Sequence, residues 1–446
     1  MVISLYSPQV STRLRYISTY LFTDLLGIPV ELITDRVRFE LANGIAINYS
    51  PERIREQEVH LFPVPLLSEQ GVREQQLSST LVHGVPVCFP APPGYDLSFD
   101  PLAASFFVLS RYEEYLPYEA DQHGRYPAAL SWLTRNGALD RPIIWEWLKL
   151  LRAAIQDKYP DLAVWPERQY QFVPTYDIDI PWAYRYRGWR AWARAAVDLL
   201  TLNVDHLRAR WQAWLDPSSD PYFTFPQLEA LHERTALRPL TFWLVADRSQ
   251  HDINPNPQLS VFRALVREVQ NWSEVGIHPS YVHGQKATGI QREKQRLEGI
   301  VQYPIKRSRQ HFLRLSLPPT YQQLIAAGIE ADYSMGYAAA PGFRAGTSEP
   351  FWWYDLEKEE VSTLRIHPFA VMDVTLKQYQ GLAPAKAQVY LQQLQAYCRT
   401  EGLSFCTLWH NSSFSSLHSW DEEWWTVYQS LFEPLTNEEV EVSSSQ

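Results

Sequence analysis

Cysteine is scarce in this chain: Cys88, Cys398 and Cys406 are the three in 446 residues. An odd number without metal-type spacing argues against a disulfide framework and fits a reducing compartment. Long hydrophobic runs are missing as well. No apolar stretch reaches the roughly 18 residues that a membrane-spanning helix needs, so no transmembrane segment is expected. The opening Met1-Val2-Ile3-Ser4-Leu5-Tyr6 has no basic region leading into an apolar core, and the location read from it is cytoplasmic. Positive charge is not in surplus either. The formal net charge is −10, and basic residues gather only at Arg185-Tyr186-Arg187 to Arg194 and at Lys306-Arg307-Ser308-Arg309, so nucleic acid is not an expected partner.

Aromatic residues, by contrast, are plentiful. Seventeen Trp, 25 Tyr and 19 Phe make up 14% of the chain. Most are expected in the core and at interfaces, and the remainder suits a carbohydrate cleft, where ring faces stack on sugar C–H surfaces. The hydrophobic content of 46% and the length of 446 residues suit a globular protein of two or three domains.

Hydrophobic periodicity divides the chain. Residues 1–165 read as a smaller α+β domain of unassigned role: a strand at 2–6, a helix over 11–26, strand-like pieces at 30–34, 37–41 and 45–49, and helices over 101–115 and 142–158. The breaks Tyr159-Pro160-Asp161 and Trp165-Pro166-Glu167 place a boundary just after. From about Gln171 onward strands alternate with helices, the pattern of parallel βαβ units. The strands are expected near 172–178, 239–246, 274–278, 309–314, 329–333, 363–367 and 404–409. Seven of them suit a closed or nearly closed barrel, whose functional residues gather at the carboxyl ends of the strands. This second domain spans 168–435, and a Ser/Glu-rich tail at 436–446 is expected to be disordered. The basic stretch 186–215, with Trp189, Trp192, Trp211 and Trp214, reads as an insertion between the first two strands, its tryptophans on the barrel wall or rim.

The organising stretch is Phe172-Val173-Pro174-Thr175-Tyr176-Asp177-Ile178-Asp179. Strand alternation puts Asp177 and Asp179 on one face. Two such carboxylates repel unless a cation or a proton sits between them, so the pair is either a site or a solvated turn. His278, His311, Arg344 and His410 fall at later strand ends. Asp179, His278 and His311 make a ligand set suited to a divalent ion, Zn²⁺ first, with Asp177 as general base and His410 as general acid. The chemistry these roles assemble is metal-assisted hydrolysis of an amide. Arg309 and Arg344 lie in apolar or Gly-rich stretches where a guanidinium needs a carboxylate; Asp177 is the natural partner of one, and Asp373 is placed to orient another. His367 reads as structural. Tyr281, Arg344 and Trp409 are the candidate substrate contacts.

The ordered segments Thr175-Tyr176-Asp177-Ile178-Asp179, Glu274-Val275-Gly276-Ile277-His278-Pro279-Ser280-Tyr281, Ser308-Arg309-Gln310-His311-Phe312-Leu313-Arg314 and Leu408-Trp409-His410 resemble the motifs of polysaccharide deacetylases with the NodB homology fold, carbohydrate esterase family four. The whole chain further resembles a bacterial subgroup with a domain of unknown function ahead of the deacetylase domain. The resemblance implies an α/β fold, a distorted (β/α)7 barrel. It implies a carbohydrate N-deacetylase that removes N-acetyl groups from an amino-sugar-containing glycan or glycan precursor with a divalent metal, usually zinc. By motif matching Asp177 is the base, Asp179 and His278 are ligands, His410 is the acid and Arg309 holds the base.

Two departures stand out. The family's second metal histidine lies four residues after the first, where this chain has Val282, with His283 one place too late. His311, arriving on the next strand, is the expected replacement. The two prolines that usually follow the motif-three arginine are absent, so the substrate groove must differ. The competing readings are a non-catalytic carbohydrate-binding or scaffold protein with a degenerate barrel, and a metal hydrolase acting on a non-sugar amide.

Overall fold

Ile3–Tyr6 (β1) is a run of four buried residues, which only a strand covered on both faces can use. It pairs in parallel with Val30–Ile33 (β2) on one side and Ile45–Tyr49 (β3) on the other, and β3 pairs in parallel with Val59–Leu61 (β4). The result is a four-stranded sheet in the order β2-β1-β3-β4. The four strands of this sheet are all parallel, and its first connections are helical. The strand expected at 37–41 is a short helix, Arg36–Glu40, because the Asp35 side chain accepts from the Arg38 N–H and caps it. A hairpin of Thr80–Val82 (β5) and Val85–Val87 (β6) follows. Next comes the helix Pro101–Leu109, capped by the buried Asp100, which accepts from the Leu102 and Ala103 N–H groups.

The computed structural model describes residues 2–162, 165–186, 204–417 and 420–433. Trp189, Trp192 and the 436–446 tail therefore lie outside the described residues. Trp211 and Trp214 lie on the helix Val204–Leu215; they are exposed and stack on each other with ring centroids 5.7 Å apart.

Among the described residues the second sheet has nine strands. Gln171–Ile178 (β7), Leu240–Trp243 (β8), Glu274–Ile277 (β9), Arg307–Ser308 (β10) and Ala331–Asp332 (β11) follow one another in parallel. Phe351–Asp355 (β12) is an antiparallel edge strand absent from the sequence reading; it pairs with Glu360–Ile366 (β13), which lies parallel to β11. Val371–Met372 (β14) and Ser404–His410 (β15) are parallel neighbours, and β15 returns to β7. The sheet is curled. After β13 the chain bends at Pro368; Phe369 N–H donates to the Met335 carbonyl beyond β11, and Ala370 N–H to the Cys406 carbonyl on β15. The architecture is mixed α/β with a strongly curled sheet, and its paired strands number more than the seven expected. Among the described residues no helix is long and apolar enough to cross a membrane.

Alternation sorts the strands. Leu240, Phe242, Cys406 and Leu408 pack together inside the curl with Tyr333 and Phe369, while Tyr176, Trp243 and Trp409 belong to the larger outer core beneath the helices. Two glycines make room inside. A Cβ on Gly276 would lie 2.6 Å from the Phe242 ring, and one on Gly336 2.3 Å from the Phe369 ring. Those rings flank the Arg309 guanidinium, 4.5 and 5.6 Å from its carbon.

Candidate metal centre

β7 and β15 run in register, with His410 opposite Asp177, so both side chains reach the carboxyl end of the curled sheet. Arg309, one residue past β10, is fully buried between the two rings. Its Nη1 donates to Asp177 Oδ1 at 2.9 Å, Nη2 to Thr175 Oγ1 at 2.7 Å and Nε to the Tyr333 carbonyl at 2.9 Å. Each nitrogen of the guanidinium thus makes a hydrogen bond. Asp177 keeps its second oxygen toward the site, 3.6 Å from His278 Nε2.

Asp179, His278 and His311 each offer a ligand atom, and those atoms all lie within 4.8 Å of one another. Asp179 Oδ1 is 3.3 Å from His278 Nε2, and Asp179 Oδ2 is 3.6 Å from His311 Nε2. The outer nitrogens set the tautomers. His278 Nδ1 lies 2.5 Å from the Arg309 carbonyl and His311 Nδ1 lies 2.9 Å from Asp252 Oδ1. A neutral imidazole donating through Nδ1 turns the Nε2 lone pair toward the site. Asp179 Oδ1 and His278 Nε2 are buried without a hydrogen-bond partner among the described residues. Two polar atoms that burial should penalise, facing a third donor of the same kind, fit a divalent cation.

The ionisable groups of the site are strongly coupled. Burial lowers the affinity of His311 for a proton, yet the charge of Asp179 and then Asp252 pushes its pKa up to about 9. Burial likewise opposes ionisation of Asp179, but His311 and His278 hold it well below the usual carboxylate range. His410 sits on the other side, its Nε2 3.9 Å from Asp179 Oδ2. Its Nδ1 is 2.9 Å from Asp373 Oδ1. Burial would lower it, but Asp373 and then Asp179 and Asp177 raise it to about 10, so the imidazolium is the form present near neutrality. The site is most open to solvent at Asp179 and His410, whose side chains are 25% and 17% exposed, against 1% for His278.

Several expectations change. Trp409 is not a substrate contact: one place before His410, it points to the opposite face, fully buried and stacked on Phe414 at 5.6 Å. Arg344 is not one either. It is buried, with Nε and Nη2 on Glu114 at 2.9 and 2.6 Å and Nη1 on the Gly336 carbonyl. Asp373 orients His410 rather than an arginine, and it also accepts from the His410 N–H and the Ser413 hydroxyl. His311 is not on a strand: β10 ends at Ser308, and His311 opens a 3-10 turn in which Phe312 has φ 60°. Tyr281 lies on the rim beside His311, half-buried, with its ring 5.2 Å from Phe312 and 4.1 Å from His251.

Asp252 escaped the sequence reading. It is fully buried, and besides His311 it receives the Tyr281 N–H at 2.7 Å, the Val282 N–H at 3.3 Å and the Ser249 hydroxyl at 2.8 Å. The Val282 backbone thus helps to seat the carboxylate that meets His311. The available signal was its place in the loop after β8, at the same end of the sheet as the other site residues.

A family of unknown function (DUF7033) matches residues 3–160. No curated protein matches the chain. Among solved structures, a putative polysaccharide deacetylase from Mycobacterium smegmatis is similar at 14% identity and TM-score 0.37, covering 60% of this chain and 84% of that one. The polysaccharide deacetylase Bc1974 from Bacillus cereus is similar at 10% identity and TM-score 0.30, covering 61% and 94%. BA3943 from Bacillus anthracis, described as a CE4 family pseudoenzyme, is similar at 10% and 0.29, covering 59% and 63%. Likenesses at this level transfer no residue role, so the chemistry must be argued from the site itself.

Proposed function

We propose that this chain is a metal-dependent hydrolase that removes N-acetyl or other N-acyl groups from an amino-sugar-containing glycan or glycan precursor. In this reading residues 168–435 form a distorted (β/α)7 barrel of the polysaccharide deacetylase type, and residues 1–165 precede it as a separate domain. The observation that carries the reading is the convergence of Asp179, His278 and His311 within 4.8 Å, with an arginine-tethered carboxylate on one side and a carboxylate-tethered imidazole on the other.

Asp179, His278 and His311 would hold the ion, Zn²⁺ first by donor type. A divalent ion bound there supplies Lewis-acid polarisation of an acyl carbonyl and a lowered pKa for water. The rest falls to the chain. Asp177, fixed through one oxygen by Arg309, has its other oxygen free to take the proton of an attacking water. His410, fixed by Asp373 and charged near neutrality, gives a proton to the amine nitrogen as the C–N bond breaks, so the products are a carboxylate and a free amine. Water supplies the oxygen that the acyl carbon gains. Tyr281, with the half-exposed rings of His123, His251 and Phe312 around it, offers faces on which a sugar stacks.

The test is acetate release from N-acetylglucosamine oligomers by the zinc-loaded protein. Release that disappears in Asp177→Asn and in His410→Ala is expected. Stoichiometric metal binding with no acetate from any N-acylated sugar tried would leave the carbohydrate-binding, non-catalytic reading standing instead.

A further inference from the structure

The turn that presents His311 is unusual in its backbone and in what holds it. Phe312 and Leu313 are consecutive non-glycine residues at φ 60° and 52°, a left-handed conformation that side chains with a Cβ resist. Such backbone persists where surrounding structure over-determines it, and it gathers at functional sites. The restraint comes from far away in the chain. Arg125, buried, donates through Nη1 to the Phe312 carbonyl at 2.8 Å, while its Nε is held by Asp121 at 2.7 Å. Asp121 in turn accepts from the His123 and Arg125 N–H groups, closing a tight polar turn. The clamp is reciprocal. Arg314, just past the strained pair, donates through Nε to the His123 carbonyl at 3.0 Å and through Nη1 to the Tyr281 carbonyl. The His123 ring packs against Phe312 at 5.0 Å, and Phe312 against His311 at 4.7 Å.

We propose that the turn at residues 121–125 is a working part of the metal centre, with Arg125 the positioning residue that locks the left-handed turn and thereby points His311 at Asp179 and His278. The inference rests on the ligand set proposed above. It assigns a task to the region ahead of the curled sheet: that region completes a site whose replacement ligand stands on a turn rather than on a helix. Asp252 sets the tautomer of His311, and Arg125 sets where its backbone stands. A guanidinium suits the task because its fork spans Asp121 and the Phe312 carbonyl together, which an ammonium cannot do.

The experiment is zinc binding by the full chain, stripped of metal and titrated against a chromophoric chelator, with the visible spectrum of the Co²⁺ form as a second readout. Wild type should bind one ion per chain and His311→Ala should lose it. Arg125→Ala should then bind about 10- to 100-fold more weakly, the usual effect of removing a group that orients a ligand, with an altered Co²⁺ spectrum. Arg125→Lys, which keeps the charge and loses the fork, should weaken binding in the same direction and decides the matter if the alanine variant does not fold. Affinity within twofold of wild type in folded variants, with His311 still required, would overturn the role of Arg125 and leave the ligand set intact. Failure of wild type to bind any metal overturns both.

Discussion

Replacing Asp373 with asparagine removes the charge that most strongly favours the imidazolium of His410. Its two oxygens lie 2.9 and 3.2 Å from His410 Nδ1, in a position with no exposure to solvent. Against the opposing effect of burial, the carboxylates around His410 raise its pKa from 6.5 to about 10, which amounts to roughly 5 kcal/mol in favour of the charged ring. Asp373 is the largest raising influence, followed by Asp179 and Asp177. Loss of one opposite charge at hydrogen-bond distance lowers a pKa by roughly 1–3 pH units, so in Asp373→Asn the ring should titrate well below its wild-type midpoint.

The assay is NMR titration of the histidine rings in metal-stripped protein, with His410 assigned among the 12 histidines by its loss in His410→Gln. The consequence for stability has a definite sign. A histidine whose pKa is raised by folding stabilises the folded state fully below 6.5, and that contribution is lost as pH rises through about 10. Wild-type unfolding free energy should therefore decline between these limits, and the Asn variant should be flatter across the same window. An unchanged His410 midpoint in Asp373→Asn, or a wild-type midpoint at or below 6.5, would refute the assignment of His410 as a preformed acid.

Asp252→Asn, which keeps the shape but not the charge behind His311, should weaken zinc binding about 10- to 100-fold in the chelator competition; equal affinity would show that His311 needs no carboxylate behind it. Glu114 lies buried between Arg111 and Arg344, accepting from both. Glu114→Gln leaves two arginines without their shared counter-charge and should lower the urea unfolding free energy by about 3–5 kcal/mol, with a loss under about 1 kcal/mol counting against a structural role for Arg344. His232, buried with its Nε2 2.6 Å from the Tyr176 hydroxyl, is pushed down to about 4 by burial. The unfolded chain then binds the extra proton first, so stability should fall by about 3 kcal/mol as pH drops from 6.5 to 4, and His232→Gln should lose most of that slope.

What the sequence disclosed about this site depended on whether a residue's place follows from local period. Asp177 and Asp179 share a face because side chains alternate along β7, and the same rule places His278 just past β9 and His410 at the end of β15. Applied strictly, that rule also excludes Trp409: the neighbour of an inward His410 must face outward, where it packs under the helices on Phe414. The missed features have no period to follow. Arg344 could be read as structural only by knowing of Glu114, 230 positions away. Asp252 is an aspartate in a polar loop until His311 arrives beside it, and the left-handed turn at Phe312 has no glycine or asparagine to announce it. The same distinction separates the two kinds of work at the centre. Asp177, Asp179, His278 and His410 stand at strand ends, and their spacing in the chain reveals them. Asp252 from the loop after β8 meets His311, and Arg125 from the turn at 121–125 holds the Phe312 carbonyl beside it. Side chains that stand on loops and turns are held by whatever segment passes nearby. Such support is written in contacts rather than in spacing, so it is visible only once the chain is folded.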